Sequence, residues 1–346
     1  MQSETGSISR RQFGRRAVMA AGALGAGGTL AGAGAADIKA GLYSITYLGV
    51  WYRGDALTLE QVIGRAKQYG YEGVEIDGKR PHGDPLDMPP ARCRQLRQTA
   101  ADQGIEIYAV AGNNDFSSPI PEHRESQLLY VRELIRMTSD LGAKLMRVFL
   151  AWPGVTLLPE GGARYDLAQA AWKQEHQGFA NEQTWAWCRA GLAEAVRYAG
   201  EHGVTLALQN HPPVITGYRD CLRMVREVAS PNLKVCFDAR LEHSLDAAGI
   251  RKATAEVGPL QVLSHFGGEY EEHAGLVQDT RNEQCLSEVL GLLDIGYRGY
   301  VGFELCHPLP VVNGKTVGID FADKNARLAA AYLKQTIAQA KRQQAG

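Results

Sequence analysis

Neither sign of charge prevails in this chain. Its 37 Lys and Arg face 38 Asp and Glu, a formal net charge of −1, so it lacks the basic footprint that a nucleic-acid partner requires. Cysteine is present but unpatterned. Cys93, Cys188, Cys221, Cys236, Cys285 and Cys306 show no CxxC or zinc-type spacing and read as core residues, although an oxidising compartment would permit a disulfide that the sequence cannot assign. There is also no apolar run fit for a membrane span. The best candidate, Ala17 to Gly34, is short and rich in Gly and Ala. It follows Ser9-Arg10-Arg11-Gln12-Phe13 and ends on Ala33-Gly34-Ala35, the pattern of a twin-arginine signal with an Ala-x-Ala cleavage site. Residues 1–35 are therefore expected to be an export signal read by the twin-arginine machinery, with residues 36–346 forming one periplasmic or exported domain.

What is present is an alternation. Eight short β-rich runs occur at residues 39–45, 73–77, 105–110, 144–150, 204–209, 233–238, 260–266 and 299–304. Segments of helical period separate them. Leu59, Val62, Ile63 and Ala66 recur at i, i+3, i+4, i+7 before Gly70, and Leu192, Ala195, Val196 and Ala199 do so before Gly203. Strict strand–helix alternation implies a parallel sheet, and eight units in about 300 residues predict an α/β fold of the (β/α)₈ TIM barrel type.

Four of the runs end on a residue able to hold a divalent cation: Gln209, Asp238, His265 and Glu304, spaced by 29, 27 and 39 residues. Such ends of neighbouring parallel strands would converge at the C-terminal mouth, where barrels of this kind carry their chemistry. Any one of them alone would pass for a loop or core residue; four in succession point to a site for one metal ion. A mostly oxygen-rich donor set predicts Mn²⁺ first, with Mg²⁺, Co²⁺ or Zn²⁺ as alternatives.

The segments GYEGVEID (70–77), GAKLMRVF (142–149), HGVTLALQNH (202–211), LKVCFDA (233–239), VLSHFGGE (262–269) and YRGYVGFEL (297–305), in this order and spacing, resemble the xylose isomerase-like barrel superfamily of sugar phosphate isomerases and epimerases. In its ketose epimerase branch, Glu, Asp, His and Glu from the fifth to eighth strands hold the metal, and the two Glu also move the substrate protons. That resemblance implies ligand roles for Asp238, His265 and Glu304, with Glu304 also a base. Gln209 departs from it, since an amide oxygen can ligate but cannot accept a proton. His211 would face the same way if its strand continues and could act as the second acid or base. The expected activity is a metal-dependent sugar isomerase or epimerase acting next to a carbonyl. The alternatives are a lyase that cleaves 3-keto-glycosides by β-elimination and a non-catalytic sugar-binding barrel.

Loops after the strands supply candidates for substrate contact: Glu75 on the second strand, Lys79, Arg80 and His82 just after it, Trp152 at the head of the long segment reaching Phe179, Arg240 and His243 after the sixth strand, and Glu269 after the seventh. Tyr165, Trp172 and His176 within that long segment could form a lid, aromatic rings being suited to the apolar faces of sugars, or pack a short surface helix. The partner implied is a small carbohydrate, with homo-oligomerisation left open.

Overall fold

The computed structural model describes residues 36–159, 161–281 and 284–345; the whole expected export segment lies outside these. Eight parallel strands close into a barrel: β1 (Asp37–Tyr43), β2 (Gly73–Asp77), β3 (Glu106–Ala111), β4 (Leu145–Val148), β5 (Thr205–Gln209), β6 (Leu233–Cys236), β7 (Gln261–Phe266) and β8 (Arg298–Phe303), with β8 pairing back onto β1. This is the TIM barrel that the alternation predicts. Several boundaries shift by one or two residues from the sequence reading, most at the ends of the first, fourth and sixth strands. The first strand ends at Tyr43 because Ser44–Tyr47 tightens into a 3₁₀ turn, and the fourth ends at Val148, releasing Phe149 and Leu150 toward the loop.

Local sequence accounts for the helices between the strands. In α1 (Leu59–Tyr69), Thr58 and Gln61 form a reciprocal capping box, the helix stops at Gly70 with φ of 79°, and Leu59, Val62, Ile63 and Ala66 are the buried stripe. The long segment after β4 holds a two-stranded hairpin, Thr156–Leu157 with Ala163–Arg164, and a helix, Asp166–Glu175. The final helix, Ile319–Ala345, packs against β1 and β8. No helix among the described residues is long and apolar enough to cross a membrane.

Inside the barrel, Tyr108 and Tyr300 stack with ring centroids 4.1 Å apart, beside Ala207, Cys236 and Leu263. Glycine makes room for them. A Cβ on Gly41 would lie 2.5 Å from the Tyr108 hydroxyl, and one on Gly302 would lie 2.7 Å from it. The six cysteines are free thiols, five of them buried and Cys306 partly so.

One buried acid outside the mouth has a measurable consequence. Glu288, on the helix Cys285–Asp294, is buried against Ser264, and its Oε2 has no hydrogen-bond partner. Ser264 gives its single hydroxyl proton to the Phe237 carbonyl at 2.7 Å, which leaves a protonated Glu288 free to donate to the serine oxygen. Burial, with the charge of Asp238 adding to it, pushes the Glu288 carboxyl up from 4.5 to about 8. The folded state thus binds a proton that the unfolded chain releases. Its stabilising contribution is complete below the unfolded value and is lost as pH rises through about 8. Thermal or urea unfolding should show stability falling by on the order of a few kcal/mol between about pH 5 and 8. Glu288→Gln should flatten that slope, and an unchanged slope would locate it in other groups.

Candidate active site

The C-terminal ends of the strands do converge. Gln209 closes β5, Asp238 stands two residues past β6, His265 lies within β7, and Glu304 follows β8; all four are buried. The positions match the sequence reading, but the side-chain partners do not match a coordinated ion. Glu75 reaches from β2 across the interior. Its Oε1 accepts from Arg147 Nε at 2.9 Å, and its Oε2 contacts His265 Nε2 at 2.6 Å. Burial alone would push the Glu75 carboxyl up, but His265 and Arg147 outweigh it and hold it below the usual range. Arg147 Nη1 donates to Gln209 Oε1 at 2.6 Å, which aims the Gln209 amide nitrogen at Asp238 Oδ2, 3.3 Å away. The other ring nitrogen of His265 faces the Cys236 thiol at 3.4 Å.

Nearer the mouth, Arg240 lies between the two remaining carboxylates. Its Nη2 contacts Asp238 Oδ2 at 2.8 Å and also Glu304 Oε1, while its Nε reaches Asp238 Oδ1 at 3.2 Å. Gly267 is what admits it: a Cβ there would meet Arg240 Nη1 at 2.1 Å. Burial would raise the Glu304 carboxyl, yet Arg240, followed by His265 and Arg147, holds it well below its ordinary value. The donor set as arranged therefore does not fit a divalent cation. Its neutral member turns N–H toward the site, both nitrogens of its imidazole are engaged, and a guanidinium neutralises its two carboxylates. Titration of the protein with Mn²⁺ should accordingly show weak binding by calorimetry. Arg240→Ala, which frees both carboxylates, should bind at least about tenfold tighter. Tight stoichiometric Mn²⁺ in the unaltered protein would mean that Arg240 swings away.

Above this layer is a cavity of ≈ 160 Å³ whose lining includes Gln209, His211, Asp238, Arg240, His243 and Glu304. His211 is half-buried, edge-on to Phe149 and Trp152 at 5.1 and 5.0 Å. Its Nδ1 contacts the Pro212 carbonyl at 2.6 Å, an acceptor, so Nδ1 carries the proton and Nε2 keeps its lone pair. Loss of solvent pushes its pKa down to about 4, and the ring is neutral at pH 7. Lys79 also lines the cavity, 3.8 Å from Asp77.

Four sequence-selected residues are placed elsewhere. Glu75 is wholly committed to Arg147 and His265 beneath the cavity. Arg80 is exposed and forms a bidentate pair with Asp87 at 2.6 and 3.0 Å. His82 turns inward, its ring nitrogens on Ser44 Oγ and the Leu57 carbonyl at 3.0 and 2.9 Å, and buttresses β2. Glu269 stands behind the mouth, with His307 Nε2 on its Oε1 at 3.0 Å. Conversely, sequence reasoning passed over Arg147, Asp77 and Asn113. Asp77 accepts from the Tyr43 hydroxyl at 2.5 Å and from Asn113 Nδ2 at 2.9 Å on the cavity wall. An Arg inside the apolar run KLMRVFL, and an Asp at the end of GVEID, were the available signals.

The sequence profile of the xylose isomerase-like TIM barrel family matches residues 63–336. The chain belongs to that family. Among its relatives, the fructoselysine 3-epimerase of Escherichia coli O157:H7 is 24% identical over 272 residues, covering 72% of this chain and 86% of the relative. Among solved structures, a D-psicose 3-epimerase superposes with a TM-score of 0.64 at 17% identity, covering 86% of this chain and 99% of the other. A 3-keto-D-glucoside 4-epimerase from E. coli does so with a TM-score of 0.60 at 16% identity, covering 87% and 99%. The relatives are sugar epimerases, which supports an enzyme of the sugar isomerase and epimerase class. At these identities the structural likeness carries the fold, and this family member's own residues must carry the chemistry.

Proposed function

We propose that the protein is a sugar isomerase or epimerase that removes the proton next to the carbonyl of a keto or aldo sugar. The observation that carries this reading is the meeting, in one mouth, of a carboxylate (Glu304), a neutral imidazole with a free lone pair (His211) and a guanidinium (Arg240). In the resting site Arg240 suppresses the basicity of Glu304. A carbonyl oxygen entering the cavity would compete for the same N–H donors, and Glu304 would regain basicity as its partner turns to the substrate. The carboxylate then takes the proton from the adjacent carbon. The electron pair moves into the carbonyl, giving an enediolate whose oxygen the guanidinium stabilises. His211 Nε2 takes the hydroxyl proton from the neighbouring oxygen and passes it to the former carbonyl oxygen, while Glu304 delivers its proton to the former carbonyl carbon, which completes an isomerisation. Return of the carbon-bound proton from Glu304 to the original carbon on the opposite face would instead require a rotated intermediate. The test is a screen of free ketoses, aldoses and 3-keto-glycosides for new sugars and for released aglycone.

A 3-keto-glycoside lyase is the second reading. One observation favours it: a further cavity walled by aromatic rings adjoins the mouth, which a bare monosaccharide does not need.

We also propose export, because Arg10 and Arg11 stand ahead of the Ala/Gly stretch, and we place the mature enzyme in the periplasm or outside the cell. Changing both arginines to lysine should hold the precursor in the cytoplasm by more than about tenfold, measured by fractionation; undiminished export would remove the twin-arginine assignment.

A further inference from the structure

Beside the mouth lies a second cavity of ≈ 190 Å³, walled by Trp152, Tyr165, Trp172 and the Pro212–Pro213 pair. It shares Trp152, Tyr165 and His211 with the first, so the two cavities are immediate neighbours. Its rings are held in place. The Tyr165 hydroxyl donates to the Cys306 carbonyl at 3.0 Å, and the Trp152 ring lies edge-on to the Tyr165 ring at 6.1 Å. Trp172 Nε1 donates to Ser117 Oγ at 2.9 Å, and its ring stacks on His176 at 3.9 Å. Tyr165 and Trp172 thus have their polar ends satisfied, and all three rings stay only half-buried. Apolar faces are fixed at the edge of a polar site, with the Gln169 amide and the Lys173 ammonium beside them.

We propose that this second cavity is a subsite for the substituent of a glycoside, taking a ring with an apolar face, while the reacting sugar occupies the first cavity. The assignment rests on the sugar reading of that first cavity. Fixed aromatic rings recognise such a face by stacking and by excluding water, at little cost in conformational entropy because the rings are already ordered. The polar side chains at the edge suit hydroxyl groups on the same substituent. A free monosaccharide would leave this surface wet, whereas a glycoside would cover it.

The test is calorimetry on the full-length protein with three glucosides, methyl β-D-glucoside, phenyl β-D-glucoside and cellobiose, and with phenol, each solution being assayed afterwards to confirm that the ligand is unchanged. The phenyl or glucosyl compound should bind at least about tenfold more tightly than the methyl compound. Trp172→Ala should erase the gain and leave the methyl affinity unchanged, and Trp172→Phe, which keeps a ring, should retain most of it and guards against a folding defect. Equal affinities for all three, or a gain that survives Trp172→Ala, would overturn the subsite while leaving the sugar reading intact. Binding of phenol with no binding of any glucoside would instead overturn the sugar reading of the first cavity.

Discussion

Replacing Glu304 by Gln should reduce turnover by at least about 10²–10⁴-fold, the usual worth of a general base, without unfolding the barrel. The amide has the shape of the carboxylate and can still accept a hydrogen bond from Arg240, so the mouth keeps its form while the proton acceptor is lost. His211→Ala should cost a comparable factor if, as proposed, Nε2 of that neutral ring carries the second proton beside Glu304. Steady-state rates on whichever sugar the screen identifies decide both. Near-normal turnover in Glu304→Gln would remove Glu304 from the chemistry, and near-normal turnover in His211→Ala would make that ring a wall of the cavity.

The second large effect falls on stability. Arg147 is buried with its guanidinium on Glu75 and Gln209 and over the faces of Tyr43 and Phe149, 4.6 and 5.2 Å from the ring centres. Arg147→Ala would leave Glu75 in the barrel interior facing only His265. Breaking a buried pair in this way should lower the unfolding free energy by about 3–5 kcal/mol. Arg147→Lys should recover only part of it, because one ammonium cannot reproduce the forked contacts to Glu75 and Gln209. Urea unfolding gives the answer, and a loss below about 1 kcal/mol would show that the interior charges are not mutually dependent. Pairing Arg147→Met with Glu75→Gln should restore much of the loss by removing both charges together.

The barrel was legible because its strands are short apolar runs ended by Gly, Pro or charge, and its helices carry the 3.6-residue stripe. The convergence of Gln209, Asp238, His265 and Glu304 was legible too, since it depends only on parallel strand order. Their partners were not. Arg240 sits 64 residues before Glu304 in sequence, and nothing in the local pattern says that its guanidinium turns between two carboxylates rather than outward; Gly267, which leaves it room, is on a third loop. Arg147 was hidden inside a run that reads as an ordinary strand, although a charge in an otherwise apolar strand calls for a buried counter-charge, here Glu75. Arg80 and His82 were selected for nearness to a strand end. Two residues of loop suffice to send one outward to Asp87 and the other inward to Ser44.

Proton exchange in deuterated water tests the central claim most directly. The protein is incubated with each sugar of the screen, and the carbon next to the carbonyl is followed by NMR. Deuterium should enter at that carbon at a rate no slower than turnover, and Glu304→Gln should abolish its entry. Conversion that shows neither deuterium entry nor any slowing when that carbon carries deuterium in place of hydrogen, or exchange that is equally fast in Glu304→Gln, would contradict proton abstraction at this site.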